Sequence, residues 1–292
     1  MPPLACLEST GPGGLRRPSR GPCGAAVLAA TGLLGLLQLG ACLPLTRPYP
    51  PPRPAELLRA LELRALRLRT LRAEARLHWE SRGEALKATL RLMAARPGQL
   101  RFDLISPFDT TLATWVCSAG RFALRDARAN RHYWGSASPC TLARVLEVAL
   151  DPGDLQRVLA GSTPVIDHQR STLRWDSRRA SELLTLYGAA LTQTIALRRQ
   201  RGDWDVEQSA IYAAGGQLLL RLSFAEQEER DGLRLPSSIT IEQPPRQTTL
   251  ALAIRAREAN LTLPPRAFEL PAARGLPSEQ VDCTTQPSAA PR

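Results

Sequence analysis

The chain has 292 residues, 43% of them apolar, and a formal net charge of +11. That length supports one large domain or two small ones with a substantial core. The positive charge is almost entirely arginine, Lys87 being the only lysine; no basic cluster interleaves with aromatics and no zinc-finger spacing occurs, so nothing points to nucleic acid as a partner.

Residues 1–24 are rich in Gly and Pro and carry Arg16, Arg17 and Arg20; the 15 residues Ala25–Leu39 that follow hold no charge. A membrane-spanning helix needs about 20 residues. A shorter apolar run behind a positive segment reads as an export signal. It ends in Leu39-Gly40-Ala41-Cys42, which resembles the bacterial lipobox: a leucine and two small residues before a cysteine whose thiol takes a diacylglycerol. Residues 1–41 are thus expected to be a lipoprotein signal peptide and Cys42 the lipidated first residue. At about 0.8 kcal/mol per buried CH₂, three acyl chains give effectively permanent anchoring. Leu43 follows the cysteine, where an Asp holds many bacterial lipoproteins in the inner membrane. Its presence leans towards the outer membrane, with the body facing the periplasm. Residues 42–54 contain prolines 44, 48, 50, 51, 52 and 54. That composition predicts a semi-rigid polyproline spacer holding the domain roughly 35 Å from its anchor.

The folded domain is expected over 55–270. Pro54 suits a first helical turn, and Leu57, Leu58 and Leu61 have helical spacing. Near Leu66 the period changes to two, and strands are predicted up to Trp79, then over 84–93, 98–105, 110–116, 121–126 and 131–134, each bounded by Gly, Pro or Asn turns. Ser138-Pro139 and Asp151-Pro152 then open two short helices with apolar faces at Leu142, Val145, Leu146 and at Leu155, Val158, Leu159, the second stopped by Gly161. Strands resume over 171–175, 183–187, 192–197, 204–212, 217–224, 238–242 and 248–256. The mostly charged Ala225–Leu235 reads as an exposed turn, and 271–292 as a disordered tail. The expected fold is mostly β (α+β): a strongly curved antiparallel sheet of about eleven strands forming an unclosed half-barrel, with a leading helix and a two-helix lid over its concave face. Such a concavity suits an apolar ligand.

Leu100-Arg-Phe-Asp-Leu-Ile-Ser-Pro-Phe108 alternates like a strand and breaks at Pro107, which lacks the N–H a ladder needs. The break leaves Phe108 at a hairpin tip. Local sequence leaves two placements open, folded back into the core or exposed to an apolar partner. Among the cysteines, Cys117 and Cys140 are candidates for a disulfide, which leaves Cys283 odd in a polar tail. There is no C-x-x-C, and His78, His132 and His168 are widely spaced, so neither a metal site nor a cofactor is expected. No nucleophile elbow, Walker loop or dinucleotide fingerprint occurs. The expectation is a protein without catalytic activity.

The order and spacing of several stretches resemble the LolA/LolB lipoprotein-sorting superfamily, most closely the outer-membrane receptor branch. They are Leu100–Phe108, Gly120–Asp126, Leu142–Leu146 leading to Asp154–Gly161, and Leu235–Ile241. The resemblance implies a half-barrel that holds acyl chains under a helical lid. It also implies acyl chains or other lipoproteins as cargo, a periplasmic carrier as their source, and an exposed apolar turn residue, here Phe108, that contacts lipid or membrane. Asp109 departs from the glycine common there, and its charge opposes deep insertion. Two functions remain open: accepting or placing lipoproteins in the outer membrane, and a structural or assembly role in which the same fold binds a protein partner.

Overall fold

The structure, a computed structural model, describes residues 45–230, 232–270 and 275–283. The signal segment and Cys42 lie outside the described residues.

Helix α1 (Pro54–Arg67) starts where expected, with Glu56 reaching back to the Arg53 N–H, and buries Leu57, Leu61 and Ala65. Strands β1 (Thr70–Ser81) and β2 (Glu84–Ala95) pair along their whole length. The two-residue turn between them has φ values of 50° at Arg82 and 87° at Gly83, the tight hairpin turn whose twist suits a right-twisted ribbon. Then come β3 (Gln99–Ile105), β4 (Thr111–Ser118), β5 (Arg121–Asp126) and β6 (Arg131–Ser136). Helices α2 (Pro139–Val145) and α3 (Pro152–Leu159) follow, capped by Ser138 and Asp151 as read from sequence. The second arm is β7 (Arg170–Asp176), β8 (Ser181–Tyr187), β9 (Leu191–Gln200), β10 (Asp203–Ala213), β11 (Leu218–Arg230), β12 (Leu233–Gln243) and β13 (Thr248–Ala259), with β14 (Ser278–Val281) last.

All belong to one 14-stranded sheet in the order β14-β6-β5-β4-β3-β2-β1-β13-β12-β11-β10-β9-β8-β7. Two runs of hairpins are sealed together where β1 pairs with β13, and the sheet does not close. This is the expected half-barrel, with more strands than the eleven expected. The strand with no expected counterpart is β14. Most of Ala225–Leu235, expected as an exposed turn, instead lengthens β11 and β12, which pair through Glu228↔Leu235. Its charges are used, since Glu228 holds the buried Arg257 of β13, whose guanidinium also donates to the Pro236 and Leu235 carbonyls. Gly161 does end α3; a Cβ there would stand 2.7 Å from Pro236.

Two further regions differ from the sequence expectation. Residues 275–283 belong to the body: β14 pairs in parallel with β6, and Cys283 forms a disulfide with Cys140 at the start of α2. The Cys117–Cys140 pairing is therefore replaced by Cys140–Cys283. Cys117 is a free thiol facing the core across from Leu100, and burial pushes it up to about 11. The bridge closes a loop of 143 residues. Cys283→Ser is expected to cost about 2–4 kcal/mol, read as a lower denaturation midpoint. The second difference is the proline-rich spacer, whose described part is docked. The Leu45 N–H donates to the Ser177 carbonyl at 3.0 Å, Trp175 Nε1–H donates to the Leu45 carbonyl at 2.8 Å, and Arg47 pairs with the buried Glu182 at 2.7 Å. Tyr49 meets Trp175 and Trp204 edge-on. A polyproline stretch loses little entropy on docking, and these aromatics supply the contact area.

Candidate functional site

Strand alternation turns Leu77, Leu90, Leu92, Phe102, Leu104 and Trp115 to the concave face, and Leu250, Leu252 and Ile241 continue it on the second arm. With α2, α3 and the segment joining them, these residues enclose an apolar cavity of about 610 Å³. Val145, Leu146 and Val148 form its lid, and Leu155, Val158 and Leu159 of α3 its floor. Phe102 stacks on Trp115 with ring centres 5.1 Å apart. The volume falls in the range of small-molecule sites, and the lining favours hydrocarbon.

Consecutive strands run in opposite directions, so their turns fall alternately on two rims. One rim carries turns 82–83, 106–110, 127–130 and 244–247. The other carries 96–98, 119–120, 177–180 and 201–202. The second rim is closed by α3 and α1. The Gln156 amide donates to the Ala95 and Gln99 carbonyls and accepts from the Gly98 N–H, while Ser162 donates to the Leu61 carbonyl. The polar members of the cavity wall, Glu84, Asp126 and Arg128, all stand on the first rim. That rim is the mouth. The lid is tied to it: the Ala149 N–H donates to Gln243 Oε1 at 3.1 Å, and Arg246 donates to the Ala143 carbonyl at 3.3 Å. Sequence reasoning missed Gln243 and Arg246. In a Gln-Pro-Pro-Arg stretch nothing signals a partner about a hundred residues away.

The Phe108 turn projects from the same rim, between β3 and β4, flanked by Glu84 at the start of β2 and Asp126 at the end of β5. Phe108 is 90% exposed, which settles the choice left open between core and surface. The turn is rigid without help from that side chain. Ser106 Oγ accepts the N–H groups of Phe108 and Thr110, and the Ser106 carbonyl accepts from the Asp109 N–H. Asp109 occupies the left-handed region at φ 59°, where glycine is the usual resident and Asp the tolerated one. Its carboxylate pairs with Arg91 at 3.0 Å, which also holds Glu74. The charge beside Phe108 is thus partly offset, though the pair is solvent-exposed and weak. Asp126 does not cap the mouth: its Oδ1 accepts the Arg128 and Ala129 N–H groups.

No family model and no curated protein matches the sequence. Among solved structures, a DUF1329 family protein from Desulfovibrio piger is similar at 14% identity and a TM-score of 0.53, covering 75% of this chain and 98% of its own. A domain named for outer-membrane lipoprotein sorting, from Vibrio parahaemolyticus, is similar at 14% identity and a TM-score of 0.52, covering 74% and 97%. At that identity the likeness shows the fold alone.

Proposed function

We propose that this chain, which has the LolA/LolB-like half-barrel fold, is a bacterial envelope lipoprotein without catalytic activity. It is anchored in the outer membrane through Cys42, binds acyl chains in its half-barrel, and accepts or places lipoproteins there. The observation that carries the reading is the apolar cavity of about 610 Å³ whose mouth lies on the rim of an exposed, rigid Phe108 turn. An acyl chain entering it would gain about 0.8 kcal/mol per buried CH₂. The lipoprotein-sorting name of the Vibrio parahaemolyticus relative points the same way.

The test is binding of a fluorescent fatty-acyl probe to the body starting at Leu45, since residues 45–53 are part of it. Saturable binding is expected. A body that binds no probe would overturn the reading in favour of the protein-binding alternative, in which depletion leaves lipoprotein sorting intact.

Phe108→Glu is expected to stop cargo transfer in a reconstituted assay. Thermal stability and probe binding should be unchanged, because the Phe108 side chain is exposed and the turn is held by Ser106. A drop in stability would show that Phe108 contributes to packing instead.

A further inference from the structure

We propose that the rim carrying Ser177, Arg178 and Arg179 is a docking surface for anionic phospholipid headgroups. On this arrangement the cavity mouth and Phe108 are turned away from the membrane that holds the anchor. The inference rests on the reading of Cys42 as the lipidated residue and goes beyond it by giving the body an orientation.

The first argument is tether length. Leu45 is fixed to the body at the end of β7, through Ser177 and Trp175. It is held there by the Arg47–Glu182 pair, by Tyr49 between Trp175 and Trp204, and by Arg199 stacked over Tyr49 at 5.1 Å. Leu43 and Pro44 alone separate Cys42 from Leu45. Whatever their conformation, three residue steps span at most about 11 Å. The acyl chains therefore enter the bilayer beside the β7–β8 turn, and the long free spacer suggested by the prolines does not exist.

The second argument is charge. Arg174, Arg178 and Arg179 are exposed, and among the described residues no ion pair holds them. The one acid in this turn, Asp176, is engaged in shaping it: Oδ1 accepts the Arg178 and Arg179 N–H groups and so fixes where the two arginines stand. The acids near the neighbouring 201–202 turn are engaged, Asp203 with Arg67 and Glu229 with Arg201, while the mouth rim is of mixed sign, with Glu80, Glu84 and Asp126 beside Arg82 and Arg128. An anionic leaflet favours each arginine near its surface by roughly fivefold. Three of them bias the body towards this orientation by roughly 100-fold over one that presents a neutral face. The two rims are well separated, since the seven residues of β3 alone span roughly 23 Å between them. Phe108 thus faces whatever approaches from the periplasm.

The test uses the full-length protein extracted from membranes, with intact mass reporting lipidation of Cys42. A fluorescent thiol label is placed at Ser177→Cys on the docking rim, or at Ala129→Cys on the mouth rim. Cys117 is buried and Cys140 is bridged to Cys283, so neither competes for the label. The protein is reconstituted into vesicles of phosphatidylcholine with phosphatidylglycerol that carry a headgroup-level quencher. Strong quenching at 177 and little at 129 is expected. Adding Arg178→Glu and Arg179→Glu should let the anchored body tilt, so that quenching at 129 rises towards that at 177, which the short tether keeps near the membrane; quenching at 129 that stays low in this variant would overturn the role given to the arginines. Without those two substitutions, equal quenching at both positions, or none at 177, in a protein whose mass shows the lipid would overturn the orientation alone. A mass without lipid would overturn the orientation together with the reading of Cys42.

Discussion

Leu104→Trp is expected to abolish acyl-probe binding, by roughly 50-fold or more, while the melting temperature stays near that of the parent protein. Leu104 lies on the cavity wall in β3 and is only partly buried, so one side of its side chain borders empty space. An indole grows into that space without displacing a packed side chain, and the strain that usually punishes larger core residues is small. What it removes is room for ligand. Excluding about three methylenes forfeits roughly 2.4 kcal/mol, which sets the fold-change. Titration with a fatty-acyl probe and thermal unfolding, run on the same preparation, check both halves. Unchanged binding would show that the cavity is not where the chain goes. The choice of residue matters: Leu92, 1% exposed, also lines the cavity but is core. Truncating it would cost about 2–5 kcal/mol and confuse lost binding with lost fold.

Much of this architecture is legible in the chain because its signals are local. Alternation in Leu71, Ala73, Ala75 and Leu77 faithfully gives the inward face of β1, and the same period marks each hairpin that follows. Leu142, Val145 and Leu146, with Leu155, Val158 and Leu159, announce two helices that need a surface, and the sheet is the surface available. The cavity itself follows from those two readings together. What could not be read depends on partners distant in sequence. Cys140 meets Cys283 because β14 returns to the edge of β6, and nothing in the polar tail marks it as a strand. Arg47 looks like one more charge in a proline-rich run until Glu182, 135 residues away, is found buried beneath it. Phe108 is the intermediate case. The Ser-Pro break places it at a tip, but only the hydrogen bonds that Ser106 Oγ accepts explain why it need not fold back to stabilise the turn.

Asp205→Ala is expected to cost about 3–5 kcal/mol, and to take the floor of the cavity with it. Asp205 sits at the start of β10 with 3% of its side chain exposed, and it holds two guanidinium groups, Arg64 at 2.8 Å and Arg234 at 2.7 Å. Burial pulls the Arg64 pKa below its ordinary value and Asp205 raises it again, so the carboxylate is what keeps that cation affordable. Arg64 is also the junction of the floor. It donates to the carbonyls of Ala160, Trp204 and Arg234 and to Gln227 Oε1, joining α1, the end of α3 and strands β10, β11 and β12. Removing Asp205 leaves the largely buried Arg64 and the partly buried Arg234 facing each other with no anion between them. A domain is stable by about 5–15 kcal/mol in all, so the loss is a large share of the whole. A fall in melting temperature of roughly 10 °C is expected. Asp205→Asn, which retains an acceptor but not the charge, should fall between the variant and the parent protein. Glu258→Ala provides the contrast: its two-pronged bridge to Arg72 is half exposed, and breaking it should cost under about 1 kcal/mol. If Asp205→Ala proved as mild as Glu258→Ala, the network would not be what closes the far rim, and α3 would be held by its other contacts, Gln156, Ser162, the Arg157–Glu62 pair and its buried apolar face. Denaturant titration of the three variants separates these outcomes. Hydrogen exchange at α3 in the native baseline then reports whether the floor opens before the sheet does, which is the order the position of Arg64 requires.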